Sequence, residues 1–244
     1  MNDKVILVTG ASRGLGRCIA LTLAKEGYTV LANYNKSEKE AKELLKIAKD
    51  NKYKLDIYKA DVTKREDIDN MINYIIDKYK RIDVLINNAG VARPRLFTEI
   101  TDEDLDYIFN GNFYSMIRTS QAVIKYMKDN ANGSIINISS IYGITGAKGA
   151  VLYASSKACV DAFTKSLAKE VGEYNIRVNS IAPGVMNTDL NNCLTEEDWQ
   201  SVKNESPLKR ITNPEDIAKC ILFLIEDTST TGQVISINAG TMII

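Results

Sequence analysis

The sequence predicts an α/β protein in which helices cover both faces of one doubly wound parallel β-sheet. Short runs of apolar and β-branched residues alternate with helical patterns along the whole 244-residue chain. Several of these runs contain almost no polar residue, which is typical of parallel strands that are covered on both sides. The alternation also implies right-handed crossovers between parallel strands. About seven strands are predicted, at residues 5–8, 29–34, 55–58, 84–86, 134–138, 178–182 and 234–237.

The helices between these strands have recognisable first residues. Residues 37–40 and 63–66 both have Ser or Thr followed three positions later by Glu, the spacing of a capping box. Asn213 precedes Pro214, which places an N-cap before a proline at the first helical position. No linker, low-complexity tract or repeat interrupts the pattern, so residues 1–244 are expected to form a single domain.

One long segment, residues 183–207, has no strand pattern and only a short helical pattern at residues 195–202. Leu194 and Trp199 in this segment need something to pack against, which argues against a disordered loop. Because long insertions of this kind are frequently functional, we interpret residues 188–207 as a lid over a substrate site.

The composition excludes several classes of function. Lys plus Arg and Asp plus Glu both number 31, so no net charge favours nucleic acid or an anionic membrane as a partner. The chain has no histidine, which excludes histidine-based triads and most catalytic zinc sites, and no metal is predicted. The apolar run at residues 5–8 is too short for a signal peptide, and that at residues 220–225 is too short to span a membrane. Four dispersed cysteines suit a reducing compartment, so we expect a cytoplasmic protein: Cys18, Cys159, Cys193 and Cys220.

A glycine-rich segment follows the first predicted strand and opens the first predicted helix. Its glycines allow the backbone to turn sharply and to approach a pyrophosphate, and a helix N-terminus supplies free N–H groups and a positive dipole. A glycine triplet alone is a weak signal, but its place between strand and helix indicates a dinucleotide site in a Rossmann-type sheet. The predicted contacts in this segment are Gly10, Ser12, Arg13, Gly14, Leu15 and Gly16.

The end of the second predicted strand favours NADP(H) over NAD(H). NAD sites usually place a carboxylate there for the ribose 2′-hydroxyl, whereas this chain has Tyr34, Lys36 and Ser37 and no acid before Glu38. Lys36, the Ser37 hydroxyl and Arg13 would together meet a 2′-phosphate. The alternative, that Lys36 belongs to a solvated lysine-rich helix start, leaves Arg13 unexplained.

Tyr153 and Lys157 are spaced to share one face of a helix. A free phenol has a pKa of about 10 and is a poor base near neutral pH. A fixed ammonium beside it, together with oxidised nicotinamide, favours the phenolate and brings its pKa toward the working range. Ser139 and Ser140 end the preceding strand, where either hydroxyl would reach a substrate oxygen.

With these motifs the chain strongly resembles the short-chain dehydrogenase/reductase family over essentially its whole length. The resemblance implies that Ser140, thirteen positions before Tyr153, orients the carbonyl, and this spacing prefers Ser140 to Ser139. It implies that Tyr153 exchanges the proton and that Lys157 also holds the nicotinamide ribose. Asn112 would bend its helix and hold a water that links Lys157 to solvent. The motifs that carry the resemblance are residues 9–16, 61–62, 87–90, 112, 140, 153–157 and 183–184.

The same resemblance implies further contacts to the cofactor. Asp61 and Val62 would touch the adenine, and the turn at residues 88–90 would line the nucleotide cleft. The segment after the sixth strand would pack near the nicotinamide. The residues expected to contact the dinucleotide are Asp61, Val62, Asn88, Ala89, Gly90, Ile138, Tyr153, Lys157, Pro183, Gly184, Val185 and Thr188.

Within the family the chain is most similar to the bacterial 3-oxoacyl-[acyl-carrier-protein] reductases. Residues 8–14, 33–34, 231–234 and 238–240 suit that subgroup. The arginines that would meet the acidic carrier protein are replaced by Ala131 and Tyr174 in this chain. Nearby lysines would substitute in part, although exposed lysines are usually only solvated: Lys125, Lys128 and Lys169.

The two helices that follow Asn112 and Tyr153 carry apolar or small residues on more than one face, which suggests subunit packing. The family resemblance implies homotetramers built on these helices. The alternative is a misjudged periodicity. The residues concerned are Met116, Ala122, Val123, Met127, Ala154, Ala158, Ala162, Phe163 and Leu167.

The leading hypothesis is an NADPH-dependent reduction of a ketone to a secondary alcohol, with a 3-oxoacyl thioester as the first candidate substrate and the carrier protein as a candidate partner. A sugar, a diketone or a steroid is the second candidate. A catalytically silent nucleotide-sensing protein is the alternative from another class. Arg93 and Arg95 would meet a phosphorylated or carrier-linked group, or belong to a solvated loop.

Overall fold

The computed structural model describes residues 3–191 and 194–243 and contains one seven-stranded sheet flanked by helices. Residues 192 and 193 of the expected lid, the second of which is Cys193, lie outside the described part. The strands are β1 (Val5–Val8), β2 (Thr29–Tyr34), β3 (Leu55–Lys59), β4 (Val84–Asn87), β5 (Gly133–Ile138), β6 (Ile176–Pro183) and β7 (Val234–Ile237). The α-helices are α1 (Gly14–Lys25), α2 (Glu38–Asp50), α3 (Arg65–Tyr79), α4 (Asp102–Phe109), α5 (Ser115–Asp129), α6 (Tyr142–Thr145), α7 (Val151–Val171), α8 (Glu196–Glu205) and α9 (Pro214–Glu226).

The strands lie in the order β3-β2-β1-β4-β5-β6-β7, and every neighbouring pair is parallel. The direction of winding reverses between β1 and β4, where the connections leave the sheet on opposite sides. Such a switch point opens a crevice beyond the carboxyl ends of the strands, which is where α/β folds bind ligands. The predicted Rossmann-type architecture is confirmed.

Both faces of the sheet are buried, which explains why several strand segments are almost wholly apolar. Along β1, Ile6 and Val8 pack with α1 and α9 on one face, and Val5 and Leu7 pack with α3, α5 and α7 on the other. All four are at most 4% exposed. Seven predicted strands therefore appear within two residues of their predicted bounds, with β6 extended at both ends by pairing with β5 and β7.

The two predicted capping boxes are wrong. Ser37 is the N-cap of α2 but makes no side-chain cap hydrogen bond, and α3 begins after Lys64 rather than after Thr63. The Thr63 hydroxyl instead donates to Asp61 Oδ1 at 2.7 Å, because a local turn two residues earlier in the chain competes for it. The Asn213 cap of α9 is confirmed, with its side-chain oxygen accepting from Glu215 N.

Capping boxes occur at two other helices, α4 and α8. Thr101 and Thr195 each accept a hydrogen bond from the backbone N–H of an aspartate three positions on, and each aspartate reaches back to the cap. The short predicted helix of the lid segment is thus present as α8. Leu194 and Trp199 are half-buried, so both side chains do find packing partners.

The expected apolar surplus on α5 and α7 is only partly present. Most of the residues that suggested this surplus are buried in the chain's own core, so the exposed apolar face is smaller than predicted. The buried ones are Met116, Ala122, Val123, Met127 and Ala154. On α7, Ala158 and Ala162 are exposed, and Phe163 and Leu167 are half-buried.

None of the helices in residues 3–191 and 194–243 combines the length and the apolar character that crossing a bilayer requires. Within the same residues there is no group of three or more Cys, Asp or Glu side chains placed to share a metal ion.

Candidate active site

The glycine-rich turn between β1 and α1 is packed so closely that side chains would not fit. Gly10 has φ +63°, and a Cβ there would lie 2.9 Å from the Cα of Ala89. A Cβ on Gly16 would overlap the carbonyl oxygen of Gly10. Gly14, with φ +53°, begins α1, whose first turn contains no acidic residue. The backbone N–H groups at this helix start are therefore available to an anion, and the turn fits a pyrophosphate.

The shape of this turn is fixed by side chains from β2 and β4. Asn33 Oδ1 accepts from Gly10 N at 3.2 Å. Asn88 Nδ2 donates to the carbonyl oxygens of Thr9 and Gly10 at 2.9 and 3.0 Å. The Thr9 hydroxyl oxygen accepts from the N–H groups of Asn88 and Ala89, both at 3.0 Å. Asn88 and Ala89, which were expected to line the nucleotide cleft, contact the glycine-rich turn directly.

Asn33 shapes the site, although no sequence motif assigned it a contact there. It is 2% exposed, and its Nδ2 donates to Ala60 O at 3.0 Å while its Oδ1 holds the turn. The signal was present, since an amide inside an otherwise apolar buried strand needs specific hydrogen-bond partners.

The candidate phosphate-binding cations lie at the same edge. Ala11 N donates to Asn33 O at 2.7 Å, which puts the turn beside the end of β2, where Tyr34, Lys36 and Ser37 follow. Lys36 is exposed, and Tyr34 is buried. The guanidinium of Arg13 is itself exposed and forms an ion pair with Asp189 at 3.2 Å.

Asp61 and Val62 follow β3 at the same end of the sheet. The Asp61 carboxylate accepts from the backbone N–H and the hydroxyl of Thr63, at 3.0 and 2.7 Å. Val62 is 9% exposed and belongs to the core layer of α3. Both residues are therefore rigidly held beside the cleft.

Tyr153 and Lys157 occupy the first two turns of α7, with the Lys157 Nζ 5.7 Å from the centroid of the Tyr153 ring. Burial raises the pKa of Tyr153 to about 12, and a hydrogen bond with Ser140 opposes that rise. Burial lowers the pKa of Lys157 to about 8, and the carboxylate of Asp161 opposes that fall. Desolvation disfavours the charged form of each group, so both favour their neutral forms more than they do in water.

The two serines after β5 point to different partners. Ser140 Oγ lies against Tyr153 and accepts from Tyr142 N at 3.2 Å. Ser139 Oγ instead donates to the carbonyl oxygen of Lys157 at 3.2 Å and is 3% exposed. Only Ser140 therefore has its hydroxyl beside the phenol.

The ammonium of Lys157 is held by the end of β5. Its Nζ donates to the carbonyl oxygen of Ile138 at 2.7 Å, and the side chain is only 4% exposed. A Cβ on Gly90 would lie 3.6 Å from this Nζ, so the turn after β4 also closes on the lysine. Ile138 and Gly90, expected among the cofactor contacts, both border Lys157.

Asn112 lies in a π-helical turn at Asn110–Tyr114, between α4 and α5. π-Turns are rare and are frequent at functional sites. Asn112 Nδ2 donates to Val91 O and to Ser156 Oγ, both at 3.0 Å, and its Oδ1 accepts from Val91 N at 2.7 Å. The amide thereby joins the loop after β4 to α7.

The segment after β6 completes the cleft. Pro183 ends β6, and a Cβ on Gly184 would collide with Thr212 Oγ1, so only glycine fits this close approach. Val185 O accepts from the backbone N–H of Thr212. A Cβ on Gly14 would lie 3.5 Å from the Cβ of Thr188, so the start of the lid segment lies against the glycine-rich turn.

Two arginines that were candidates for a phosphorylated or carrier-linked group have protein partners. Arg93 Nη1 and Arg95 Nε lie 2.8 and 3.0 Å from the carboxylate of Asp104, which is 2% exposed. The guanidinium of Arg93 also lies 4.2 Å from the centroid of the Tyr107 ring. The loop itself is solvated, with residues 94–99 exposed, and both arginines bind Asp104 within it.

The arrangement defines a class of protein. A glycine-rich backbone turn at a helix start, the half-buried Tyr153 and the buried Lys157, with an adjacent serine, lie at the switch point of a doubly wound sheet. This is the architecture of a dinucleotide-dependent oxidoreductase. A family model described as short chain dehydrogenase matches residues 4–199. The chain belongs to this family, and it is an oxidoreductase that acts on ketone or CH–OH groups with a nicotinamide cofactor.

Curated relatives align with the chain from end to end. It is 41% identical to 3-oxoacyl-[acyl-carrier-protein] reductase FabG of Thermotoga maritima, covering 100% of this chain and 99% of the relative. Identity to the proteins of the same name is 37% in Chlamydia trachomatis, over 98% of this chain and 97% of the relative. In Staphylococcus epidermidis it is 35%, over 98% of both chains. The subgroup resemblance is confirmed.

Proposed function

We propose that this chain reduces 3-oxoacyl thioesters to 3-hydroxyacyl thioesters with NADPH, and that Tyr153 is the proton donor. The observation that carries the proposal is the placement of Tyr153 between Ser140 and the buried ammonium of Lys157, beside the glycine-rich turn. The relatives named for the 3-oxoacyl reaction support the choice of substrate class.

The cofactor would lie across the carboxyl ends of β1 and β4. Its pyrophosphate would rest on the N–H groups at the start of α1, its adenine beside Asp61 and Val62, and its nicotinamide against the segment from Pro183 to Thr188. When bound, the reduced nicotinamide supplies a hydride to the carbonyl carbon. The residues proposed to hold it are Gly10, Ser12, Arg13, Gly14, Leu15, Gly16, Tyr34, Lys36, Ser37, Asp61, Val62, Asn88, Ala89, Gly90, Ile138, Tyr153, Lys157, Pro183, Gly184, Val185 and Thr188.

The proton comes from the chain itself. The Ser140 hydroxyl would donate a hydrogen bond to the carbonyl oxygen and orient it toward Tyr153. The Tyr153 hydroxyl would transfer its proton to that oxygen as negative charge develops there. The Lys157 ammonium would stabilise the phenolate that remains and so offset the effect of burial on the Tyr153 pKa. Asn112 would hold α7 in register with the loop after β4 through Ser156 and Val91.

The choice of NADP over NAD rests on charge. Arg13, Lys36 and the Ser37 hydroxyl would surround a phosphate group after β2, and no carboxylate precedes Glu38 there. A 2′-phosphate would satisfy two cations, whereas a 2′-hydroxyl would find no acceptor of the kind NAD sites provide.

Residues 1–244 would act as a single domain with residues 188–207 as the substrate lid. The lid would close over Ser140 and Tyr153, with α8 packed through the half-buried Leu194 and Trp199. Thr188, beside the glycine-rich turn, would make the lid sensitive to the bound nucleotide.

Assembly and partner follow from the same surfaces. The face of α7 that carries Ala158, Ala162, Phe163 and Leu167 is small and apolar enough to pack against a second copy, and we infer a homotetramer. The Nζ of Lys128 lies 3.7 Å from the ring centroid of Tyr174 and would present a positive charge to an acidic acyl carrier protein. We place the reaction in the cytoplasm, where the free thiols of this chain stay reduced.

NADPH consumption with a panel of ketones tests this proposal. Acetoacetyl thioesters should be reduced faster than diacetyl, a ketosugar or a steroid ketone. Tyr153→Phe should lower kcat by about 10²- to 10⁴-fold without loss of NADPH binding, because only the proton donor is removed. Tyr53→Phe, at a half-buried tyrosine in the turn before β3, is the matched control and should be fully active.

Three other results would contradict parts of this proposal. Reduction of a different ketone alone would reject the thioester and keep the oxidoreductase. Tight NADPH binding with no turnover on any ketone would favour the silent nucleotide sensor. Unchanged turnover in Tyr153→Phe would remove the proposed proton donor.

A further inference from the structure

Asp161 is a buried carboxyl group to which the proposed reaction gives no role. It lies on α7, four residues after Lys157, and is 7% exposed. Its Oδ1 accepts from the hydroxyl of Ser180 on β6 at 2.8 Å. Because a buried carboxylate is costly unless it is hydrogen-bonded and paired with a cation, its presence here needs an explanation.

The position of Asp161 relates it to Lys157. Residues four apart on a helix share a face, so the carboxylate lies on the side of α7 that carries the ammonium. Each charge stabilises the other: Asp161 opposes the lowering of the Lys157 pKa by burial, and Lys157 opposes the raising of the Asp161 pKa by burial. The Ser139 hydroxyl donates to the backbone carbonyl oxygen of Lys157, so the segment after β5 lies against this part of α7.

The other groups around this pair are mostly neutral. Ser139, just after β5, and Ser180 on β6 contribute hydroxyls, and the π-turn contributes the amide of Asn112. On α4, Asp104 is paired with two arginines and so carries little uncompensated charge. The remaining titratable groups that act on the site are Lys165, one turn beyond Asp161, with Tyr153 and Tyr142 on the substrate side.

We propose that Asp161 is a positioning residue that keeps the buried amine of Lys157 in its ammonium form, with Ser180 fixing the carboxylate in place. The inference rests on the role proposed for Lys157 in assisting Tyr153. Without the carboxylate, the desolvated lysine would lose its proton at a lower pH. Tyr153 would then be a weaker acid, since no cation would stabilise its phenolate.

The charge state of Lys157 can be measured without any turnover. NMR titration of the full chain with ¹³C at the lysine ε-carbon follows each amine, and Lys157→Met identifies the signal. Asp161→Asn is nearly isosteric and keeps an oxygen for Ser180. This substitution should lower the titration midpoint of the Lys157 amine by about one pH unit. Above that midpoint, the ratio of ammonium to neutral amine would then be roughly tenfold lower than in the unmodified chain. An unchanged midpoint overturns the proposal.

The matched control is Glu170→Gln, which removes an exposed carboxylate thirteen residues along the same helix. At about 1.5 Å per residue that position is roughly 20 Å from Lys157, so the midpoint should not move. An equal shift in both variants would show a nonspecific charge effect and reject the assignment. Should Asp161→Asn yield too little folded protein, Ser180→Ala replaces it, with about a threefold loss of ammonium expected and no loss overturning the proposal.

Activity provides a second readout. In Asp161→Asn the alkaline fall of kcat/KM should begin about one pH unit lower than in the unmodified chain, with little change at pH 6. Asp161→Glu should restore part of the range. If Tyr153→Phe retained turnover, the proposed function would fail, yet the NMR midpoint would still decide the role of Asp161.

Discussion

The Nζ of Lys157 lies 5.7 Å from the centroid of the Tyr153 ring and donates to Ile138 O at 2.7 Å. Burial shifts the two pKa values in opposite directions: it raises the pKa of Tyr153 to about 12 and lowers the pKa of Lys157 to about 8. At neutral pH the phenol is therefore protonated and the amine is mostly charged. Those are the two protonation states that reduction of a carbonyl requires from a proton donor and its neighbouring cation.

The buried ammonium of Lys157 should lower the free energy of unfolding. Its pKa in the folded chain, about 8, is below the 10.5 of an exposed lysine, so the folded state gives up its proton first. The cost is complete below pH 8 and disappears as the pH rises from 8 to 10.5. Lys157→Met should raise the free energy of unfolding by about 2 kcal/mol at pH 7, after the lost hydrogen bond, while abolishing turnover. Lys169→Met, at an exposed lysine of the same helix, should change it by less than about 0.5 kcal/mol. Denaturant unfolding at pH 7 and pH 10.5 measures both variants, and a gain that persists at the higher pH contradicts this origin.

Gly10→Ala should damage nucleotide binding rather than only the fold. The new Cβ would lie 2.9 Å from Ala89 Cα, so the turn must move away from the phosphate position. We expect the Kd for NADPH, measured by fluorescence titration, to rise about tenfold or more. Gly27→Ala is the control, because Gly27 also has positive φ but has nothing within 4 Å of the new Cβ. It should lose stability from backbone strain alone and bind NADPH normally. Equal binding by both variants would show that the close approach at Gly10 is unimportant.

The ion pair between Arg13 and Asp189 should compete with the 2′-phosphate for the same guanidinium. Arg13→Gln should weaken NADPH binding about tenfold to a hundredfold and leave NADH binding unchanged, because one charge-assisted contact is lost. Asp189→Asn should strengthen NADPH binding about two- to threefold, since an exposed ion pair of this kind is weak. Calorimetric titration at low salt measures both effects, with Lys169→Gln as a control for net charge. A loss of NADH affinity equal to that of NADPH in Arg13→Gln would contradict the 2′-phosphate role.

Asp104 should hold the loop that borders the cleft. Its pKa is lowered to about 2, first by the hydrogen bond from Arg93, against an ordinary value of 3.8. Because the folded-state pKa is depressed, the stabilisation is present above about pH 4 and is lost as the pH falls toward 2. Asp104→Asn should lower the melting temperature at pH 7 by several degrees and raise KM several-fold with little effect on kcat. The backbone of Arg95 also binds Gly149 O, so the freed loop would disturb the approach to α7. Asp106→Asn, on the exposed side of α4, should change neither quantity, and a large fall in kcat for Asp104→Asn would contradict a purely positional role.

Much of the fold could be predicted because each strand carries its own evidence. A parallel strand that is buried on both faces is mostly apolar, and β1 shows this in four contiguous residues. The Tyr153–Lys157 spacing is equally local, since a helix by itself places residues four apart on one face. The two predictions of capping boxes were wrong because a capping side chain can form hydrogen bonds with several competing partners. Thr63 had a nearer acceptor in Asp61, which the helix pattern does not reveal.

The sequence by itself determined the alternation of strands and helices, the glycine-rich turn and the two residues at the centre of the proposed chemistry, because all of these depend on neighbours in the chain. Only the tertiary structure decided which distant side chains meet. It paired Arg13 with Asp189, both arginines of the β4 loop with Asp104, and Asp161 with Ser180. Arg13 and Asp189 meet because the crossovers bring the carboxyl ends of the strands to the same edge of the sheet, whereas the other pairs form within single connections or between consecutive elements. Charge and hydrogen-bond capacity are written in the residues, but distance and desolvation, which set the pKa of Lys157, are properties of the packed fold.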